Sequence, residues 1–139
     1  MTPAFETDSR LLAHSVAVAA WPLCDVRLMD DARFPWLVLI PRVAGASELD
    51  EVPAAGQPML MAEMIRAGAI VRRLGAAMDL GVDKLNTAAL GNVTAQLHIH
   101  VVGRRRDDPL WPDPVWGREG RTPLGEARLA ALAGLAAGL

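Results

Sequence analysis

The sequence is poor in several features that define particular classes of protein. A single cysteine, Cys24, in 139 residues excludes an intramolecular disulfide and a multi-cysteine zinc site, and it fits a reducing compartment. The 14 Lys and Arg residues nearly balance the 16 Asp and Glu residues, so no basic field supports binding to nucleic acid. No apolar run approaches the ~20 residues that a membrane span needs, so no membrane partner is expected.

The composition is that of one folded domain. Hydrophobic residues make up 52% of the chain and charged residues 22%, which is typical of a globular protein rather than a disordered one. The length predicts a single domain over residues 1–139. Glu6 and Asp8 stand where a signal peptide would carry basic residues, and we therefore expect a cytoplasmic protein.

Local patterns predict helices at both ends and strands between them. Asp8 fits the N-cap of a short helix that Trp21 and Pro22 end, and Thr122 followed by Pro123 fits the start of a C-terminal helix. Alternation of apolar and polar residues, or continuous apolar runs, predicts four strands. These strands cover residues 23–29, 34–40, 84–89 and 95–102. This order favours an α+β domain with a mostly antiparallel sheet.

The longest predicted element is a helix that packs on the sheet. Its apolar residues recur at spacings of 4, 3, 4, 3 and 4, which places them on one face and leaves Glu63, Arg66 and Arg73 away from it. Gly81 fits its C-terminal end. The apolar face consists of Leu60, Met64, Ala67, Val71, Leu74 and Met78.

Two of the three histidines fall within one predicted strand. Because side chains alternate along a strand, Gln96, His98 and His100 are expected to share one face, with the residues between them in the core. An imidazole there can attack phosphorus while its neighbour donates a proton or a hydrogen bond. No metal or cofactor is implied, since the chain has neither a P-loop nor an obvious carboxylate cluster for magnesium.

Less specific interpretations of these charged and polar residues stay open at this point. Alternating histidines on a strand can bind zinc, with a third ligand from His14, Cys24 or a carboxylate, or they can be purely structural. The run of three arginines at residues 104–106 is followed by two aspartates, which is typical of a solvated, self-paired surface segment.

The segment QLHIHVVGR, with LNTAALGNV before it and a Trp-Pro tail after it, resembles the histidine triad family of nucleotide hydrolases and transferases. In the family motif, three histidines alternate with apolar residues; here the middle one is His98, the last is His100, and Gln96 replaces the first. The resemblance implies that His98 is the nucleophile and that His100 contacts the phosphate or the leaving group. It covers a core at about residues 23–117, followed by a C-terminal helical tail at 122–139.

The same resemblance implies a nucleotide-binding surface. It places Asn86 and Asn92 near the ribose or phosphate, and it gives either Asp30 or Asp31 the task of holding ribose hydroxyls. The backbone N–H groups of Gly91, Asn92 and Val93 can neutralise charge on the phosphate. The sequence departs from the family at Gln96, at Val93 in place of a hydroxyl residue, and at Ala44 in place of a histidine.

The implied fold is a sheet of about five strands with one long packing helix and short N- and C-terminal helices. The implied function is hydrolysis or transfer on nucleoside phosphoanhydrides or phosphoramidates through a covalent His98 intermediate. The implied partners are a nucleotide substrate and a second copy of the chain, paired through the helix at residues 59–80 and the strand after it. The alternative is a nucleotide-binding protein of the same fold with little or no catalysis.

Overall fold

The computed structural model describes residues 4–139, and within them five strands form one antiparallel sheet in the order β1-β2-β3-β5-β4. The strands are β1 (Ser15–Ala20), β2 (Cys24–Met29), β3 (Trp36–Pro41), β4 (Lys84–Ala88) and β5 (Ile99–Arg104). The helices are α1 (Ser9–Leu12), α2 (Gln57–Ala77) and α3 (Glu126–Ala137). The predicted α+β fold, with its one long helix between shorter terminal ones, is confirmed.

The central strand β5 is where the sheet carries the candidate chemistry. It pairs with β3 on one side and with β4 on the other, both antiparallel. His100 therefore lies opposite Val38 of β3 and opposite Ala88 of β4. With neighbours on both sides, the backbone of β5 at His100 is fixed by the sheet rather than by a loop.

One face of the sheet, the helix face, is covered by α2 and α3 and forms the larger core. Leu37, Leu39, Ile99 and Val101 point to it and are at most 1% exposed. The predicted apolar face of α2 packs against these residues, and this packing stabilises the long helix. Its buried members are Leu60, Ala67, Val71, Leu74 and Met78.

The opposite side of β3 and β5, the cavity face, carries a smaller apolar cluster. Trp36, Val38 and Val102 lie on it, and Phe34 and Val115 from flanking segments pack against them. Because strand side chains alternate, His100 falls on this face together with Val102 of the same strand. Val38 of β3 lies opposite His100. The sheet thus separates the larger apolar core from the face that carries His100.

The predicted N-terminal helix is wrong over most of its length. The helix spans only Ser9–Leu12, with Asp8 as its N-cap, and the chain turns at His14 with φ of 60°. It then continues as β1, which pairs with β2. The sequence SVAVAA alternates valine with alanine, which suits a strand that packs one face on the core, and pairing with β2 outweighs alanine's preference for helix.

Two element starts also differ from the predictions. β5 begins at Ile99 rather than at residue 95, and α3 begins at Glu126 rather than just after Thr122. The carboxylate of Asp30 accepts the Leu124 N–H at 2.7 Å, which ties the segment before α3 to the end of β2. Gly125 at the N-cap has φ of 88°, a conformation that glycine tolerates.

Two charged residues expected at the surface are buried. Glu63 lies under the start of β2, where its carboxylate accepts the N–H groups of Leu23 and Cys24, each at 2.9 Å. Arg104 is 1% exposed and forms a buried ion pair with Asp108 at 2.7 Å. Both carry partners that satisfy their charge or hydrogen bonds, which is the condition under which such groups are buried.

Of the helices in residues 4–139, none combines the length and the apolar character needed to cross a membrane.

Candidate active site

A cavity of about 850 Å³ opens on the cavity face of the sheet. His98 and His100 lie on one wall, with Asn92 and Val93 from the loop before β5 beside them. Trp116, from the segment after β5, also lines the cavity and lies next to His100. The two histidines singled out by the sequence are therefore brought together in a concave site large enough for a small ligand.

The surroundings of His98 determine which of its ring nitrogens carries the proton. Its Nδ1 lies 2.6 Å from the backbone oxygen of Gln96. A carbonyl oxygen only accepts hydrogen bonds, so Nδ1 carries the hydrogen and donates it. The neutral ring then has its lone pair on Nε2. His98, which is 4% exposed, is thus arranged with a nucleophilic nitrogen at the cavity.

The surroundings of His100 determine the opposite arrangement. The indole Nε1 of Trp36 lies 3.1 Å from Nδ1 of His100, and an indole N–H only donates. Nδ1 therefore accepts, and the hydrogen of the neutral ring is on Nε2. Burial, and then the nearby His98, lower the pKa of His100 to about 3. His100 stays uncharged at neutral pH and offers an N–H donor.

The rings of His98 and His100 are in contact, and the ring of Trp116 contacts His100. The centroids of His98 and His100 are 5.0 Å apart in an edge-to-face arrangement. Trp116 packs on His100 from the other side at 5.5 Å. A nucleophile and a hydrogen-bond donor are thus fixed next to each other by packing as well as by hydrogen bonds.

A second cavity, of about 540 Å³, lies on the other side of His98. It is lined by His98 together with Gly91 and Asn92, and by Glu48 and Asp50 of the loop before α2. His98 and Asn92 therefore border both cavities.

The other predicted binding residues are divided between these cavities and the scaffold. Asn92, Val93 and Asp31 line the main cavity. The Asp31 carboxylate is held by the Arg33 guanidinium at 2.8 Å. Gly91 lines the second cavity.

Asn86 and Asp30 lie outside both cavities and have structural partners. The side-chain oxygen of Asn86 accepts from Arg104 at 3.0 Å, next to the buried ion pair of that arginine. Asp30 accepts from the backbone N–H of Leu124 and from Arg121. These contacts give both residues a place in the scaffold.

The side chain of Gln96 does not share a surface with the two histidines, contrary to the prediction. Residues 95–98 precede β5, so strict alternation does not extend to Gln96. Its amide instead contacts the N-terminal segment: Oε1 accepts the Asp8 N–H, and Nε2 donates to the Glu6 carbonyl, both at 2.8 Å. Only its backbone carbonyl reaches His98.

Several residues of the site were not found by sequence reasoning. Trp36 lies on the same face as His100 and donates to its ring, a contact between positions 64 residues apart that no local pattern indicates. Trp116 comes from the segment after β5 and packs against His100. Arg10 and Leu11 line the cavity from α1, and no local pattern connects them with residues more than eighty positions away.

The alternative interpretation of His98 and His100 as metal ligands requires a third ligand close to them. Among residues 4–139, no three or more His, Cys, Asp or Glu side chains are grouped as a metal would require. Cys24 lies on the helix face, away from the histidines, where burial and then Glu63 raise the pKa of its thiol. His14 is exposed at the turn before β1.

Comparison of the sequence with protein-family models identifies its family. A family model described as the HIT domain matches residues 11–107, which is more than half of the chain. The chain belongs to the HIT-domain family. The resemblance of the histidine segment to this family is thereby confirmed. No curated protein matches the sequence of this HIT protein.

Solved structures of other HIT proteins are similar over nearly the whole chain. A histidine triad protein from Sinorhizobium meliloti is 36% identical, covers 95% of this chain and 94% of its own, and has a TM-score of 0.87. One from Bradyrhizobium japonicum is 34% identical, covers 96% of each chain, and also has a TM-score of 0.87. A zinc-bound relative from Mycobacterium smegmatis, 20% identical, covers 91% of this chain and 86% of its own with a TM-score of 0.60, and shows the shared fold.

Proposed function

We propose that this HIT protein is a nucleotidyl hydrolase or transferase that acts on nucleoside phosphoanhydrides or phosphoramidates through a covalent His98 intermediate. The observation that carries the proposal is the pair of histidines in one cavity whose Nδ1 atoms have opposite partners, a carbonyl acceptor at His98 and an indole donor at His100. The Gln96 carbonyl leaves Nε2 of His98 as an acceptor, and the Trp36 indole leaves Nε2 of His100 as a donor. Family membership supports nucleotide chemistry at such a site.

In the first step, Nε2 of His98 attacks the α-phosphorus of the substrate. A nitrogen–phosphorus bond forms, and the bond from phosphorus to the leaving oxygen or nitrogen breaks, with its electron pair departing on the leaving group. The ring becomes a cation in the adduct, which the Nδ1–H to the Gln96 carbonyl stabilises. The N–H of His100 can donate to the phosphate or to the leaving atom.

In the second step, water attacks the phosphorus of the adduct. The oxygen–phosphorus bond forms, the nitrogen–phosphorus bond breaks, and the electron pair returns to Nε2 of His98. The proton of the water passes to solvent or to the departed amine, and a nucleoside monophosphate is released. No step requires a metal or another cofactor.

The walls of the main cavity support a nucleoside rather than a bare phosphate. Leu11, Met29, Val38 and Val115 provide apolar surface, and Trp116 provides an aromatic face near His100. A flat base can pack against such surfaces while the phosphate lies at the histidines.

The test is rapid-quench intact mass spectrometry of wild type and His98→Ala, mixed with adenosine and guanosine phosphoramidates and dinucleoside polyphosphates. We expect a transient adduct of one nucleoside monophosphate on His98 and its release as product. In His98→Ala, turnover should fall by about three orders of magnitude or more, because the nucleophile is gone. His14→Ala is the matched control, since it removes an exposed imidazole outside both cavities.

The outcomes separate two functions. An adduct and product that both disappear in His98→Ala establish the hydrolase or transferase, and the panel ranks its leaving groups. Bound nucleotide with neither adduct nor product contradicts catalysis and supports the alternative, a nucleotide-binding protein of the same fold.

The same proposal includes a homodimer formed through α2 and β4. β4 is an edge strand of the sheet, and α2 exposes Met59, Met61 and Ile65, of which Ile65 is 68% exposed. An unpaired edge beside exposed apolar side chains is typical of a pairing surface. Sedimentation velocity of the wild type tests this, and a monomer across micromolar concentrations would contradict it.

A further inference from the structure

We infer that Arg10 binds the substrate phosphate and that the side chain of Gln96 positions it for this task. The inference rests on the proposed function, because it concerns the phosphate at the same cavity. It assigns a role to the glutamine that replaces the first histidine of the family motif, and it brings the N-terminal segment into the site.

Arg10 is the arginine of the main cavity that is least engaged by a carboxylate. Four arginines line this cavity, and three of them hold an aspartate. These pairs are Arg33 with Asp31 at 2.8 Å, Arg118 with Asp113 at 2.8 Å, and Arg121 with Asp30 at 3.3 Å. The Nε of Arg10 is 3.7 Å from Asp8, and the side chain is 63% exposed. Its charge is the one most available to an anion.

The Arg10 side chain also contacts the loop before β5, which leads to the nucleophile His98. Its Nη1 donates to the backbone oxygen of Val93 at 2.8 Å. Val93 and the neighbouring Asn92 line the cavity together with His98. A guanidinium fixed at this loop, with further N–H groups free of that bond, can donate to the oxygens of a phosphate at His98.

The amide of Gln96 fixes the segment that carries Arg10. It accepts from the Asp8 N–H and donates to the Glu6 carbonyl, so it pairs with the backbone of residues 6 and 8 as a neighbouring strand would. Asp8 in turn accepts from the Arg10 N–H at 2.8 Å as the N-cap of α1. The chain from Gln96 to Arg10 is thus connected by hydrogen bonds at each step.

An imidazole at position 96 would not make this pair of contacts. The oxygen and the nitrogen of an amide branch from one carbon and can both face the same backbone segment, whereas the acceptor and donor nitrogens of a neutral imidazole lie on opposite edges of the ring. Gln96 therefore has two separable tasks. Its backbone carbonyl orients His98, and its side chain holds the segment that places Arg10.

The test compares binding of adenosine 5′-monophosphate and of adenosine by calorimetry, with guanosine and its monophosphate in parallel. In Arg10→Ala, Kd for the monophosphate should rise about tenfold, the effect of losing a charge-assisted hydrogen bond, while Kd for the nucleoside stays within about twofold. Arg10→Lys should recover part of the loss. Arg128→Ala is the matched control, since it removes an exposed arginine of α3 outside both cavities, and it should change both values by less than about twofold.

Gln96→Met keeps the length of the side chain and the backbone carbonyl but removes the amide. It should weaken monophosphate binding by several fold, and hydrogen exchange at the Asp8 N–H should become faster. In the Arg10→Ala background it should add no further loss of monophosphate binding, because both changes remove the same contact.

Each result decides between the proposals. If wild type binds neither nucleoside nor monophosphate, the proposed function fails, and this inference fails with it. If wild type binds them and Arg10→Ala binds the monophosphate equally well, only the role of Arg10 is overturned. If the losses from Arg10→Ala and Gln96→Met multiply in the double variant, Gln96 does not act through Arg10.

Discussion

The two faces of β5 use neighbouring residues for different purposes. On the helix face, Ile99 and Val101 are at most 1% exposed and touch an apolar layer. On the cavity face, His100 is packed between two tryptophans and bonds to one of them. The difference shows how a small domain separates stability from chemistry: the pleat divides them, so a polar site needs no break in the apolar core.

The two faces also handle charge differently. The helix face contains one buried carboxylate, Glu63, which is satisfied by two backbone N–H groups. The cavity face contains the buried pair of Arg104 and Asp108, and arginines held by aspartates around the cavity. Charge on the cavity face is therefore mostly neutralised in place, which makes Arg10, whose distance to its carboxylate is 3.7 Å, informative.

The strongest way to test this separation is to make a void on the helix face. Leu74 of α2 is fully buried against the sheet, and Leu74→Ala should lower the free energy of unfolding by about 4 kcal/mol in urea titrations. Turnover per folded molecule should stay at the wild-type value. Leu135→Ala, at a position 38% exposed on α3, should cost about 1 kcal/mol or less. Equal losses in the two variants would contradict the core assignment.

Charge pairing on the cavity face gives the next largest effect. Burial alone would raise the pKa of Asp108, but hydrogen bonds from Arg104 and from two backbone N–H groups outweigh it, so its pKa is lowered. Asp108→Asn leaves the Arg104 guanidinium buried without its counter-charge and should cost about 3 kcal/mol of unfolding free energy. The neighbouring Asp107, 84% exposed in its pair with Arg105, is the control, and Asp107→Asn should cost less than about 1 kcal/mol. A small loss in both would mean that the buried pair contributes little.

The pH dependence of stability sharpens the comparison further. Because the folded protein lowers the pKa of His100 from 6.5 to about 3, both states are neutral at this ring above pH 6.5, and it then has no effect. Below pH 6.5 the unfolded chain binds a proton that the folded protein does not, so stability falls as pH falls toward 3. At pH 5 the loss from this ring is about 2 kcal/mol.

Unfolding of His100→Gln, measured from pH 8 to pH 4, checks this. The variant should lose the part of the acid dependence that comes from the ring, whatever its stability at pH 8. His14→Gln, at an exposed position, serves as the control. An unchanged pH slope in His100→Gln would show that the ring is not held neutral by its surroundings.

The smallest expected effect concerns one hydrogen bond on the cavity face. Trp36→Phe keeps an aromatic ring but removes the N–H that fixes the tautomer of His100. The rate constant kcat should fall about tenfold, equivalent to about 1.4 kcal/mol, while KM changes less. Trp111→Phe removes an indole N–H outside both cavities and should leave kcat unchanged. If KM rather than kcat changes in Trp36→Phe, the tryptophan acts in binding and not on the donor.

Much of the fold could be predicted because its signals are local. The 4-3-4 spacing predicted α2, and the alternating pattern predicted the strand that holds His100, although it placed the start of that strand four residues too early. β1 was missed because SVAVAA is a weak strand signal until β2 pairs with it. Glu63 and Arg104 were expected at the surface, because their spacing says nothing of the backbone N–H groups and the carboxylate that satisfy them.

The sequence by itself determined the family, the sheet with its long helix, and the presence of His98 and His100 near one surface. The proton position of His98 was decided locally, by the hydrogen bond that its Nδ1 donates to the backbone carbonyl of Gln96 two residues earlier. That of His100 was decided by tertiary structure, through the hydrogen bond that Trp36, 64 residues away in the chain, donates to its Nδ1. Tertiary structure also brought Arg10 to the cavity and turned the Gln96 amide toward Asp8, 88 residues away. Side-chain periodicity acts over a few residues, whereas these contacts exist only after the sheet has brought distant segments together.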